Sequence, residues 1–105
     1  MSDYRNLSAR DVCQVLREVI LGRKDMTKAS HHSWDEDTSG PFIVDVEGWR
    51  ISIHNDCGEP AYCEESITPD GRRWSLESSK RIGADPIALL STWEHGTLKL
   101  LLKSL

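Results

Sequence analysis

The stretch Phe42-Ile43-Val44-Asp45-Val46-Glu47-Gly48-Trp49-Arg50-Ile51-Ser52-Ile53-His54 decides the fold. Phe42, Val44 and Val46 occupy alternate positions, and so do Trp49, Ile51 and Ile53. Such alternation marks a strand with one buried face, because successive side chains point to opposite sides of a sheet. With Glu47-Gly48 as the whole loop of a hairpin, Val46 faces Trp49, Val44 faces Ile51 and Phe42 faces Ile53. All six apolar side chains then share one face, and Asp45 meets Arg50 on the other. A slip of one residue destroys both results.

Toward the C-terminus, Asn55-Asp56-Cys57-Gly58-Glu59-Pro60 reads as a loop. A second hairpin is expected, with strands at about Ala61 to Ile67 and Arg72 to Leu76 around Thr68-Pro69-Asp70-Gly71. Its register is open. Pro-Asp-Gly turn chemistry pairs Thr68 with Arg72. The apolar pattern prefers Ile67 opposite Arg72, which gathers Ala61, Cys63, Ile67, Trp74 and Leu76 on one face. Asp85-Pro86 is a helix start, an N-cap acid followed by proline at the first helical position. Ser91-Thr92-Trp93-Glu94 is a complete capping box. A short helix, a break near Ser91 and a longer helix toward Ser104 follow, with Leu98, Leu101, Leu102 and Leu105 as its buried stripe. Leu100 points the other way.

On the N-terminal side, Ser8 with Asp11 three residues later makes a short capping box. Val12, Val15, Leu16 and Val19 keep helical spacing, and Gly22 ends a helix expected over residues 9–21. Residues 23–41 carry turn chemistry and little periodicity, with Trp34 expected to fold back onto the core as an anchor. The predicted class is α+β: an antiparallel sheet of about four strands in two hairpins, with an N-terminal helix and a C-terminal helix pair packed on one face.

Gly48-Trp49-Arg50, Asn55-Asp56-Cys57, Pro69-Asp70-Gly71-Arg72-Arg73-Trp74 and the run from Asp85 to His95 also carry a likeness. On these residues the chain resembles a family of small proteins, common in pseudomonads, classed as a domain of unknown function. The likeness spans residues 9–105 and implies no activity. Members often carry a further cysteine where this chain has Ser66. The resemblance therefore implies that a Cys-Glu-Glu-Cys pair is missing here, which counts against a metal role.

With 105 residues there is room for one domain, residues 1–105, with its core over about 8–105. Apolar residues at 38% and four tryptophans supply enough surface to bury, which argues against disorder. A polar N-terminus and short apolar runs predict neither a secretory signal nor a membrane span. Three cysteines are too few and too odd a set for a disulfide framework, so a cytoplasmic protein is expected. The net charge of -4 is unevenly spread: residues 1–30 carry +2, residues 31–70 carry -9 and residues 71–105 carry +3. An acidic block of this size attracts a cationic partner or a metal, or serves as a solvated face.

Three kinds of site compete. The first is a partner-binding surface of Trp34, Asp35, Glu36 and Asp37 with Asn55, Asp56 and Glu59, on loops held by a rigid sheet. It predicts a non-catalytic interaction or regulatory module, such as an immunity or inhibitor protein for a basic partner. The second is a metal site from His54, Cys57 and Cys63, although Cys-x5-Cys is not the usual tight zinc pair. The third is a nucleic-acid surface from Arg72, Arg73, Lys80 and Arg81 with Trp74, in a domain whose overall acidity opposes it. Catalysis is not expected. Asp56 and Glu59 would raise the thiol pKa of a Cys57–His54 pair. Glu64 and Glu65, as neighbours in a strand, should face opposite ways. Phosphate-loop and dinucleotide patterns are absent, and no cofactor is implied.

Overall fold

A computed structural model describes residues 7–36, 39–76 and 85–105. The chain forms helix α1 (Ala9–Ile20), strands β1 (Met26–Lys28), β2 (Ser39–Val46), β3 (Trp49–Asp56), β4 (Glu59–Ile67) and β5 (Arg73–Ser75), and helix α2 (Thr92–Lys103). A 3-10 turn at Trp34–Glu36 lies between β1 and β2. The sheet is a five-stranded antiparallel meander in sequence order. Both helices pack against its buried face, and the architecture is α+β.

The hairpin of β2 and β3 has the expected register, with Val46 on Trp49, Val44 on Ile51 and Phe42 on Ile53. Glu47 and Gly48 take φ of 49° and 97°. Two successive positive values make the primed turn whose twist matches that of the strands. Asp45, paired with Arg50 in the ladder, turns its carboxylate to accept the Gly48 N–H at 3.1 Å. Phe42, Val44, Val46, Ile51 and Ile53 are fully buried in one cluster with Val12, Leu16, Leu98 and Leu102.

Among the described residues the sheet has five strands, not four. β1 pairs Met26 with Val46 and Lys28 with Val44. A three-residue edge strand with Met26 half-buried and Thr27 and Lys28 exposed carries no alternation to read, so the sequence shows only a polar turn there. The predicted loop at residues 55–60 is instead two strand ends joined by Cys57-Gly58, a second primed turn with φ of 53° and 90°. β4 pairs with β3 along its length, so the two expected hairpins fuse.

Register at β5 follows turn chemistry. Ile67 pairs with Arg73, the Thr68 N–H donates to the Arg72 carbonyl at 2.9 Å, and Gly71 is left-handed. The burial pattern misled because β4 is bulged twice. Ser52 pairs with Glu65 but Ile53 with Cys63, leaving Glu64 extra; His54 pairs with Tyr62 but Asn55 with Pro60, leaving Ala61 extra. Each added residue shifts the phase of the strand. Pro60, Cys63 and Ser66 therefore face inward together with Trp74, while Ala61 is exposed and Ile67 half-buried.

Among the described residues the expected helix pair is one helix. Asp85-Pro86 opens a turn bonded by Leu89 N to Asp85 O (3.2 Å) and Leu90 N to Ile87 O (3.1 Å), which does not grow into a helix before Ser91. The Asp85 carboxylate accepts the Ile87 N–H at 3.1 Å and also the Cys63 N–H at 2.8 Å, so it caps the turn and the open edge of β4 at once. Burial pushes its pKa up. Both capping boxes form, at Ser8/Asp11 and Ser91/Glu94. Glu94 is shared: it accepts the Ser91 N–H at 2.8 Å and the Arg17 Nε–H at 3.2 Å, while Arg17 also donates to the Leu89 carbonyl at 3.1 Å. One guanidinium thus ties α1 to α2 and to the turn before it.

Two glycines should respond oppositely to alanine. A Cβ at Gly48 would sit 3.0 Å from Pro69 Cγ on a left-handed backbone; at Gly96, inside α2, it would meet nothing. Gly48→Ala is expected to lower the unfolding free energy by about 1–2 kcal/mol and Gly96→Ala to raise it by about 1 kcal/mol, both read from urea midpoints. Acid should act through Glu94. The Ser91 N–H first, and Arg17 after it, hold this carboxyl below its ordinary value of 4.5. Its contribution is complete above that value and is lost as pH falls through the lower folded value. Glu94→Gln should flatten the fall in stability between about pH 5 and pH 3, measured by urea titration across that range.

Candidate functional site

Trp34 is fully buried, as an anchor should be, with its ring edge-on to Phe42 at 5.2 Å. A buried indole N–H needs an acceptor, and this one donates to the Gly58 carbonyl at 3.0 Å. Asn55, also buried, completes the arrangement. Its Nδ2 donates to the Trp34 carbonyl at 2.8 Å, and its Oδ1 accepts the Gly58 N–H at 2.8 Å. Two of these hydrogen bonds lock the 3-10 turn onto the Cys57-Gly58 turn, and the third closes that turn on Asn55. Trp34 and Asn55 therefore do not form a recognition surface themselves. They are the buried base beneath one, a correction that follows from the size of the indole and the bonding capacity of the amide.

Above this base stand Asp35, Glu36, Asp56 and Glu59, all exposed. Asp37 lies outside the described residues. Glu36 accepts the Ser33 N–H at 2.6 Å, and this bond holds its pKa down. Glu59 is bonded to Lys99 of α2, which lowers its pKa in the same way. Next to it His95 Nε2 lies 2.9 Å from the Pro60 carbonyl. The start of β4 is thus fastened to α2. The acidic end is a set of exposed carboxylates on a hydrogen-bonded support. His95, Lys99 and Gly58 escaped the sequence reading. The one available signal was Asn55-x-x-Gly58, an Asx-type turn pattern.

The metal candidates are not brought together. His54 lies on the outer face of the sheet, stacked on Tyr62 at 4.7 Å with Nδ1 3.0 Å from Glu64 Oε2. Cys57 is at an exposed turn tip. Cys63 is buried on the core face, where burial, and after it the charge of Asp85, pushes its thiol far up and keeps it protonated. Among the described residues no group of three His, Cys, Asp or Glu side chains is placed to hold a metal ion.

Glu64 and Glu65 do not face opposite ways. The bulge puts both toward the outer face, Glu64 on His54 and Glu65 on Arg73 at 3.6 Å. The basic candidates are similarly engaged: Arg72 Nε lies 3.3 Å from Asp70. Trp74 is buried, so its ring offers no face for a base to stack on. Lys80 and Arg81 lie outside the described residues. Among the described residues no helix is long and apolar enough to cross a membrane.

A five-strand meander with two helices on one face and an acidic turn end places the chain among small α+β domains. It belongs to the family described as a domain of unknown function (DUF7693), which matches residues 6–104. No curated protein and no solved structure gave a match.

The base and the rim should separate in mutagenesis. Asn55→Ala leaves the Trp34 carbonyl and the Gly58 N–H short of a partner in a buried place and is expected to cost about 2–3 kcal/mol. Asp35→Lys, at an exposed position, is expected to stay within about 0.5 kcal/mol. Urea unfolding of both variants checks the pair.

Proposed function

We propose that the protein is a non-catalytic interaction module whose acidic end receives a basic surface of another protein, in the manner of an immunity or inhibitor protein. The observation that carries this reading is the three-bond lock of Trp34, Asn55 and Gly58. It fixes the backbone beneath the exposed carboxylates of Asp35, Glu36 and Asp56, with Glu59 beside them ion-paired to Lys99. A rigid backbone lowers the ordering cost of binding. Clustered charge of one sign steers an oppositely charged partner and speeds encounter. Unpaired Cys13, Cys57 and Cys63 suit a reducing compartment, so the cytoplasm is the proposed location.

Capture from native lysate on the immobilised protein tests the reading. The wild-type chain should retain a basic partner at physiological salt and release it as ionic strength rises. An Asp35→Lys, Asp56→Lys double variant should lose at least about 10-fold in affinity for it, on the scale of interface charge reversals. Recovery of bait alone at physiological salt, or a partner indifferent to both changes, rejects the proposal.

A further inference from the structure

Next to the acidic end, the outer face of the sheet carries an aromatic pair. His54 of β3 and Tyr62 of β4 are partners in the ladder, and their rings stack in parallel, 3° apart in plane and 4.7 Å between centres. The bulge at Glu64 turns that carboxylate onto His54 Nδ1 at 3.0 Å. The imidazole is thus held at its edge by a carboxylate and at one face by the phenol ring. Neither ring belongs to the hydrophobic core, and both are partly exposed.

Tyr62 is covered by a ring on one face only. β5 pairs with Glu65, Ser66 and Ile67 and reaches no further along β4. Among the described residues, β4 is therefore the margin of the sheet at Tyr62, and no strand lies beside the second face of its ring. Carboxylates stand around it. Asp56 lies two residues beyond His54 on the same side of β3, at the diagonal spacing of about 7–8 Å that an aromatic side chain spans. Glu64 lies two residues beyond Tyr62 on the same outer face.

We propose that the second face of Tyr62 receives an arginine side chain of the protein that docks on the acidic end, with the guanidinium flat on the ring and its N–H groups on Asp56 and Glu64. This rests on the reading of the acidic end as a surface for a basic partner, and it names the side chain that the surface selects. Shape favours arginine over lysine: a planar guanidinium stacks on an aromatic face, whereas a lysine ammonium is compact and strongly hydrated. Charge favours it too, because carboxylates near the ring match the fork of donors that a guanidinium presents. The ring is oriented before binding by His54, which Glu64 holds, so little side-chain freedom is lost. The carboxylates around Asp35 steer either cation alike, and the aromatic pair tells them apart.

Two blocked octapeptides test it, one alternating arginine with glycine and one alternating lysine with glycine. Each is titrated into the isotope-labelled chain at low salt and followed by NMR. The arginine peptide should bind about 5-fold more tightly, the scale of one exposed cation–π contact. Its side-chain methylene protons should shift upfield under the ring current of Tyr62, a reading that needs no variant. Tyr62→Leu should bring the two peptides to the same affinity, and Tyr62→Phe, which keeps the ring, should retain the preference. Equal affinities in the wild-type chain, or a preference that survives Tyr62→Leu, overturn the arginine contact. If both peptides are then still weakened by Asp35→Lys, the acidic end keeps its role as a surface for basic partners. Failure of both peptides to bind overturns the two readings together.

Discussion

The turn at Glu47-Gly48 sets the phase of β2 against β3, and those two strands carry Phe42, Val44, Val46, Ile51 and Ile53 into the core. Side chains alternate along a strand, so a shift of one residue would present all five to solvent and bring Ile43, Asp45, Arg50, Ser52 and His54 inside. Two residues with positive φ hold that phase. Gly48 accepts the conformation readily, whereas Glu47 must be held in it. The Asp45 carboxylate on the Gly48 N–H, and the Glu47 carboxylate on the Asp25 N–H at 3.1 Å, supply part of the restraint. From this pair the sheet extends outward in both directions, and both helices have a surface to cover.

β4 shows how a strand adapts when its sequence cannot alternate. Two extra residues bend it, and its edge beyond β5 would expose backbone groups. The Asp85 carboxylate takes the Cys63 N–H, and His95 lies against the Pro60 carbonyl. Side chains from the C-terminal third of the chain therefore do the work of a missing neighbouring strand. The same contacts position α2, which in turn holds Glu59 through Lys99. Edge protection, helix docking and the shape of the acidic end are one connected set of bonds.

The candidate site illustrates a division between support and display. A tryptophan and an asparagine beside acidic residues read equally well as recognition side chains or as structural ones. Their bonds to Gly58 and to each other assign them to the interior. What is displayed is only charge, and charge alone steers more than it specifies. Affinity for a partner would have to come from the fixed spacing of the carboxylates, which the buried bonds determine.

Local information in the chain was sufficient for the first hairpin, for α1 and α2 with their capping boxes, and for the turn at Asp70-Gly71. In each, the deciding interactions join residues close in sequence: alternation across a two-residue loop, a serine with an acid three positions on, a glycine where φ is positive. The acidic side chains of the candidate site were legible as composition, not as a surface. Tertiary structure alone decided the β4 bulges, the single turn at Asp85, the edge strand β1 and the joining of the Trp34 and Gly58 turns. Those features depend on groups far apart along the chain, such as Asp85 with Cys63, Arg17 with Glu94 and Lys99 with Glu59. A buried N–H or carbonyl takes whatever partner the packed fold brings within reach, and no short stretch of sequence records which one that is.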